Sequence, residues 1–213
     1  MLANLSGCQS VGYCTARVMP SKDLARLSSE SRLQRLLEAE RKGKRPKYVL
    51  FWGHTAPPNG AIGPHVLSQW WPASFEVERV RYKSAEQFMM ASKAALFGDH
   101  RVSGLILRAK GPQQAKGLGR QVRGFDEQRW SDHRYSLVIT GNLAKFSQNP
   151  DLRAYLLGTG DRVLVEASPV DRIWGIGLSR DDPRAGKPSL WRGKNLLGFA
   201  LMEVRERLSE LAI

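Results

Sequence analysis

Cysteine is almost missing from these 213 residues: Cys8 and Cys14 are the two, both near the start and far from any histidine. Two thiols cannot build a disulfide framework, and without neighbouring histidines they cannot complete a tetrahedral zinc site. The four histidines, His54, His65, His100 and His133, never fall at HxxxH or HExxH spacing, so no metal is expected. Long apolar runs are missing too; nothing approaches the ~20 residues that a membrane-spanning helix needs, and no membrane partner is expected. No Gly-x-Ser-x-Gly elbow occurs, which argues against an α/β-hydrolase. The opening residues lack a basic stretch followed by an apolar one. A secretory signal is therefore not expected, and the setting predicted is reducing and cytoplasmic.

Acidic residues are in the minority, 20 Asp+Glu against 33 Lys+Arg, leaving a net charge of +13. Such a field attracts polyanions of any kind, from nucleic acid to phosphorylated metabolites. The 42% hydrophobic and 25% charged residues are ordinary for a folded domain, and the length is enough to bury a core.

Composition shifts near residue 46. Residues 1–46 hold nine basic and four acidic side chains, net +5, leaving 13 − 5 = +8 for the remainder. This leader reads as a weakly ordered tail with one amphipathic helix, on which Leu24, Leu27, Leu33, Leu36 and Leu37 fall at helical spacing. It is either a solvated appendage or a contact for nucleic acid or a partner. Residues 47–213 read as one domain. Tyr48–Trp52, Phe75–Tyr82, Arg162–Glu166 and Arg172–Trp174 have the pattern of short strands. Ser84-Ala-Glu-Gln87 has the form of a capping box opening a helix to about Phe97, stopped by Gly98. Helical patterns follow at 99–110, 112–120, 126–146 and 150–157. A last helix runs from Asn195 with Leu197, Leu201, Val204, Leu208 and Leu211 on one stripe. Without regular βαβ spacing, the class predicted is α+β: a single domain, mostly helical, with a few short mixed strands.

Three segments could carry chemistry. Glu86 and Lys93 lie seven residues apart, so on a helix they share a face about 10.5 Å apart along the axis. Met90 stands between them. Glu86 sits in the first turn, where the helix dipole favours an anion. The apolar neighbours Phe88, Met89, Ala91, Ala94 and Ala95 predict a largely buried helix, in which charged groups are costly unless paired or functional. A surface helix with a stray acid and base is the plainer alternative. The second segment runs from Asp171 to Pro183; Trp174 offers a stacking face and Gly175 and Gly177 allow close backbone approach. A core tryptophan before a turn would look the same. The third is Leu190-Trp191-Arg192-Gly193-Lys194-Asn195, either a phosphate cradle at a helix start or a glycine turn with an N-capping Asn195.

Taken in order, Phe51-Trp-Gly-His54, Ser68-Gln-Trp-Trp-Pro72, Tyr82 to Lys93, Trp174-Gly-Ile-Gly-Leu178 and Trp191 to Gly198 resemble the motifs of the NADAR, or YbiA-like, family. The resemblance spans roughly Tyr48 to Leu211. It implies an α+β domain that hydrolyses N-glycosidic bonds without a cofactor. The substrates implied are phosphorylated riboflavin-pathway intermediates carrying a ribosylamino-pyrimidine or, alternatively, ADP-ribosylated guanine in nucleotides or nucleic acid. A basic, non-catalytic nucleic-acid-binding protein is the competing class.

By motif, Glu86 and Lys93 would be the catalytic pair. Trp52, Gly53, Trp70, Tyr82, Met90, Trp174 and Gly175 would shape the substrate wall. Trp191, Gly193, Lys194 and Asn195 would lie near the ligand. Some relatives have Trp-Gly-Asp-Gly where this chain has Ile176, and Asp181 or Asp182 is the expected replacement for that carboxylate. The partner expected is a phosphorylated N-riboside.

Overall fold

The computed structural model describes residues 29–211. Helix α1 (Ser29–Arg41) precedes strand β1 (Tyr48–Phe51) and a 3-10 turn (Pro64–Leu67). A hairpin, β2 (Phe75–Val77) and β3 (Val80–Tyr82), leads into α2 (Ala85–Leu96), α3 (His100–Leu107) and α4 (Pro112–Gly119). The long α5 (Glu127–Ser147) and α6 (Pro150–Gly158) follow, then β4 (Val163–Glu166), a second 3-10 turn (Pro188–Leu190) and α7 (Leu196–Glu210). The class is α+β, a single mostly helical domain with two small two-stranded sheets. β1 pairs with β4 in parallel, Tyr48 opposite Val163 and Phe51 opposite Glu166, while β2 and β3 pair antiparallel.

Helix α2 is the centre of the packing. Ser84 Oγ accepts the Gln87 amide at 3.2 Å and starts the helix. The second half of the expected capping box is displaced: Gln87 Oε1 accepts from the Lys83 amide, one residue earlier, and its Nε2 donates to the Ile106 and Leu107 carbonyls of α3. The buried side chain therefore joins two helices as well as capping one. α3, α4 and α5 all pack on α2. Gly119 of α4 makes the closest approach, since a Cβ there would stand 2.2 Å from Met90 Sδ.

Three sequence expectations change. Residues 75–82 form a hairpin rather than one strand, because Glu78 and Arg79 both take positive φ (51° and 65°) and reverse the chain; Phe75 and Tyr82 then stack 5.8 Å apart. Arg172–Trp174 pairs with no strand: Asp171 Oδ1 accepts the Ile173 and Trp174 amides at 2.8 and 2.7 Å and holds them in a turn. Leu211 is 73% exposed past the end of α7, although Leu197, Leu201, Val204 and Leu208 are buried as the stripe predicts.

Within the leader, Cys8, Cys14, Leu24 and Leu27 lie outside the described residues. Its helix α1 is docked rather than solvated. Arg32, 5% exposed, grips Glu206 of α7 with both guanidinium nitrogens at 2.8 and 2.5 Å. Glu40 accepts from the Ser189 amide and hydroxyl. Leu36 packs against a second cluster around Val163, Val165, Ile176 and Leu178.

Lys145 of α5 is fully buried, and its amine donates to the Val66 and Ser68 carbonyls at 2.7 and 2.9 Å. Burial alone pulls this amine down to about 7. Gln69 Nε2 donates to Asn142 of the same helix at 3.0 Å, and the Gln69 carbonyl accepts the Glu86 amide at 2.9 Å. Residues 66–69 are thus clamped between α5 and the start of α2. Replacing Lys145 by Met keeps the volume but strands two carbonyls. Chemical denaturation of Lys145→Met is expected to show a loss of about 1–3 kcal/mol for each carbonyl left unpaired.

Candidate active site

The clamped segment and α2 form two walls of a cleft of about 270 Å³. Ser68, Gln69 and Trp70 make one lip; Glu86, Met89, Met90 and Lys93 project from α2; Lys116, Gly119 and Arg120 come from α4. Glu166 at the end of β4, the Asp171–Trp174 turn, Trp130 of α5 and Leu197 of α7 close the other side.

Glu86 is 3% exposed in the first turn of α2. Burial pushes its carboxyl up to about 7, against the pull of Lys116, a hydrogen bond from Trp70 and Arg120; Asp171 adds to the rise. Its Oε1 is buried without a hydrogen-bond partner among the described residues. Lys93 lies two turns along the same face. Its amine donates to the Gly119 carbonyl at 3.1 Å and stands 4.2 Å from the centre of the Phe125 ring. Burial lowers the amine from its ordinary value, with Glu127 opposing. The carbonyl and the ring hold the cation, while the apolar surroundings ease loss of its proton.

Of the remaining residues expected at the site, Trp70, Met90 and Trp174 line the cleft. The others do not. Trp52 is 53% exposed beyond β1, beside Gly53. Tyr82 is core, edge-on to Phe88 at 5.0 Å. Trp191 packs on the second cluster with its indole donating to the Ala185 carbonyl. Gly175 and Gly193 are spacers: a Cβ on Gly193 would meet the Gly175 carbonyl at 2.3 Å, so the two backbones interlock beneath Trp174. Asn195 is buried in left-handed conformation and does not cap α7 with its side chain. Instead Oδ1 accepts the Glu166 amide and Nδ2 donates to the Leu164 carbonyl, both at 3.0 Å. Lys194 is exposed on a different groove, beside Arg134 and Tyr135. Asp181 is exposed, and Asp182 is paired with Arg184, which holds its carboxyl down to about 2. Ile176 points into the second hydrophobic cluster.

The structure adds acids that the motifs did not single out. Glu166 and Asp171 both line the cleft, and burial together with the negative charges of Asp171 and Glu86 raises Glu166 to about 8. A carboxylate ending the apolar run Val163-Leu-Val was visible in the sequence and could have marked the strand end as a site. So could Lys116 and Arg120, four apart on one helical face. Among the described residues, no three His, Cys, Asp or Glu side chains are grouped as a metal ion would need, and no helix is long and apolar enough to cross a membrane.

The model of the NADAR domain matches residues 50–209. An N-glycosidase of Acanthamoeba polyphaga mimivirus is 47% identical over 165 residues, covering 75% of this chain and 95% of that protein. A riboflavin biosynthesis protein of Vibrio vulnificus is 34% identical over 146 residues, 68% of this chain and 36% of its own length. The NMR structure of Escherichia coli YbiA superposes with a TM-score of 0.63 at 26% identity, covering 79% of this chain and 88% of that one. The superposition shows that the fold is shared with YbiA. The chain belongs to the NADAR family.

Trp70 is one of the groups that lower the Glu86 carboxyl, against the burial that raises it. A hydrogen bond to the ionised carboxylate favours that form, so Trp70→Phe is expected to move the Glu86 carboxyl above about 7. Carbon-13 NMR titration of the side-chain carboxyl is the measurement that checks it.

Proposed function

We propose that this chain hydrolyses the N-glycosidic bond of a phosphorylated N-riboside, a riboflavin-pathway intermediate carrying a ribosylamino-pyrimidine, with Glu86 and Lys93 as its catalytic pair. The broader class, a hydrolase acting on N-glycosyl compounds, is that of its N-glycosidase relatives. The riboflavin biosynthesis protein among those relatives supports the substrate. The observation that carries the reading is that a buried carboxyl and a half-buried amine open onto one cleft walled by Trp70, Trp130 and Trp174.

The chemistry follows from these groups. Breaking the C1′–N bond develops positive charge on the ribose, and the departing nitrogen needs a proton. The Lys93 amine, once neutral, attacks C1′; the opened sugar is held as a Schiff base that water then releases. Substrate takes the place of the Gly119 carbonyl as the partner of the amine. Glu86, near the midpoint of its titration at neutral pH, takes up and returns the proton that Lys93 gives up, passed through water in the cleft because two helical turns separate the groups. The tryptophan faces suit a planar base. Lys116 and Arg120 supply positive charge inside the cleft for the phosphate, the role that the sequence suggested for Lys194.

Incubation with the phosphorylated ribosylamino-pyrimidine should release ribose 5-phosphate, followed by chromatography. Glu86→Gln and Lys93→Ala are each expected to lower kcat by about 10²–10⁴-fold. Borohydride should trap the sugar on the wild-type chain and not on Lys93→Ala. Trapping that survives in Lys93→Ala would place the Schiff base on another amine, and its absence in an active wild type would leave Glu86 activating water instead. Release of guanine from ADP-ribosylated guanosine, with the pyrimidine riboside untouched, would replace the substrate.

The phosphate assignment has its own measurement. Arg120→Ala is expected to raise KM for the phosphorylated substrate about tenfold and to leave KM for the dephosphorylated one nearly unchanged, since hydrogen bonds to charged groups contribute about 1.5–3 kcal/mol. Lys194→Ala should change neither.

A further inference from the structure

The proposed pair leaves a second acid of the cleft, the partly buried Glu166, unused. Glu166 is the last residue of β4 and lines the cavity. Its backbone is held at every polar atom. The amide donates to Asn195 Oδ1 at 3.0 Å, and the carbonyl accepts the Ile176 amide at 2.9 Å. Gly175 passes so close that a Cβ on it would stand 2.8 Å from that carbonyl. A strand end fixed this firmly aims its side chain, while Glu166 Oε2 is buried with no hydrogen-bond partner. Nothing among the described residues uses that oxygen.

Of the other acids of the cleft, Asp171 is committed by hydrogen bonds and Glu86 is taken by the proposed mechanism. Asp171 Oδ1 takes the Ile173 and Trp174 amides, and its own amide donates to Ser168 Oγ at 3.1 Å, so this carboxylate builds the turn that presents Trp174. Glu86 shares the α2 face of Lys93 and serves the amine. Glu166 is the acid of the cleft carried by neither α2 nor the Asp171 turn, and its Oε2 has no hydrogen-bond partner among the described residues. From these positions we propose that Glu166 is a further catalytic residue, the general acid that protonates the departing base nitrogen, making the cleft a two-carboxylate site with one acid for each side of the reacting sugar. The proposal rests on the N-glycosidase reading above.

The step balances. The Lys93 nitrogen bonds to C1′ as the bond from C1′ to the base breaks. Its electron pair stays on the base nitrogen, and the proton of Glu166 joins it. In the second half, the oxygen of water replaces Lys93 at C1′. The proton that water loses passes to Glu166, which ends as it began.

The charges around Glu166 suit that cycle. Glu86 from α2 and Asp171 from the turn oppose its ionisation, while Lys116 of α4 favours it; burial and the two acids prevail and raise it to about 8. It therefore carries its proton at neutral pH. Two interacting carboxyls lose their protons in steps that belong to the pair, and the second step falls on the alkaline side.

The experiment compares two substrates: the ribosylamino-pyrimidine phosphate, whose base must gain a proton on leaving, and the 5′-phosphate of an N-ribosyl pyridinium, whose base departs neutral. Glu166→Gln is expected to lower kcat/KM on the first by about 10²–10⁴-fold. It should also abolish the decline above pH about 8 and keep the kcat/KM for pyridinium release, which reports bond cleavage and not the later attack of water, within about threefold of wild type. Glu86→Gln should lose both. Activity of Glu166→Gln on the ribosylamine within about threefold of wild type would overturn the proposal, as would equal loss on both substrates with the alkaline decline intact, which is the behaviour of a structural residue. Should Glu166→Gln not fold, Glu166→Asp decides: a shorter acid lowers kcat and moves the alkaline decline, and an unmoved decline overturns the proposal. A wild-type chain that cleaves neither substrate overturns the N-glycosidase reading itself, a result distinct from an active wild type whose Glu166 variants are equally active.

Discussion

Burying the Glu86 carboxyl is the constraint on which the rest of the molecule depends. An ionisable side chain 3% exposed in a helix's first turn has to be offset by its surroundings. Trp70 gives it a hydrogen bond, Lys116 and Arg120 give it charge, and the helix dipole adds to both. Each of these needs something further back. Trp70 stands where it does because Lys145 and Asn142 hold residues 66–69 from α5. The α4 cations reach the cleft because Gly119 lets that helix lie against Met90. A polar centre at the heart of α2 thus organises an apolar shell around itself, and the resulting dry cavity can shift acids and bases toward neutrality.

Local physics was readable from the chain, and long-range physics was not. Ser84 taking the Gln87 amide is an interaction three residues long, and it stands as the spacing predicts. The far end of Gln87 bonds to α3, and no local pattern states that. Glu78 and Arg79 turn a hairpin without the Gly or Asn that normally signals positive φ, so the reversal was hidden. Asn195 reads as a cap because of where it sits, but its amide group braces β4. Lys145 looks like any solvated lysine until α5 is packed against the turn before Trp70.

The family motifs divide on this evidence of geometry. Trp70, Glu86, Met90, Lys93 and Trp174 face the cleft; Tyr82, Gly175, Trp191, Gly193 and Asn195 are framework. The framework residues still matter to chemistry, at one remove. Gly193 and Gly175 set how deeply the Trp174 turn seats, and Asn195 fixes the strand end that carries Glu166. The Trp-Gly-Ile-Gly variant fits the same logic, since Ile176 faces the second hydrophobic cluster, where a carboxylate would have no partner.

The parallel pairing of β1 with β4 has a consequence for synthesis. The two strands lie at opposite ends of the domain's sequence, and α7, which carries the brace onto β4, comes last. During translation α2 and its neighbours can assemble as local helical contacts, but the cavity floor waits for the C-terminal helix to leave the ribosome. Until then the apolar side of α2 and the edge of β1 lack their native cover, and the cleft is complete only once α7 has emerged and packed.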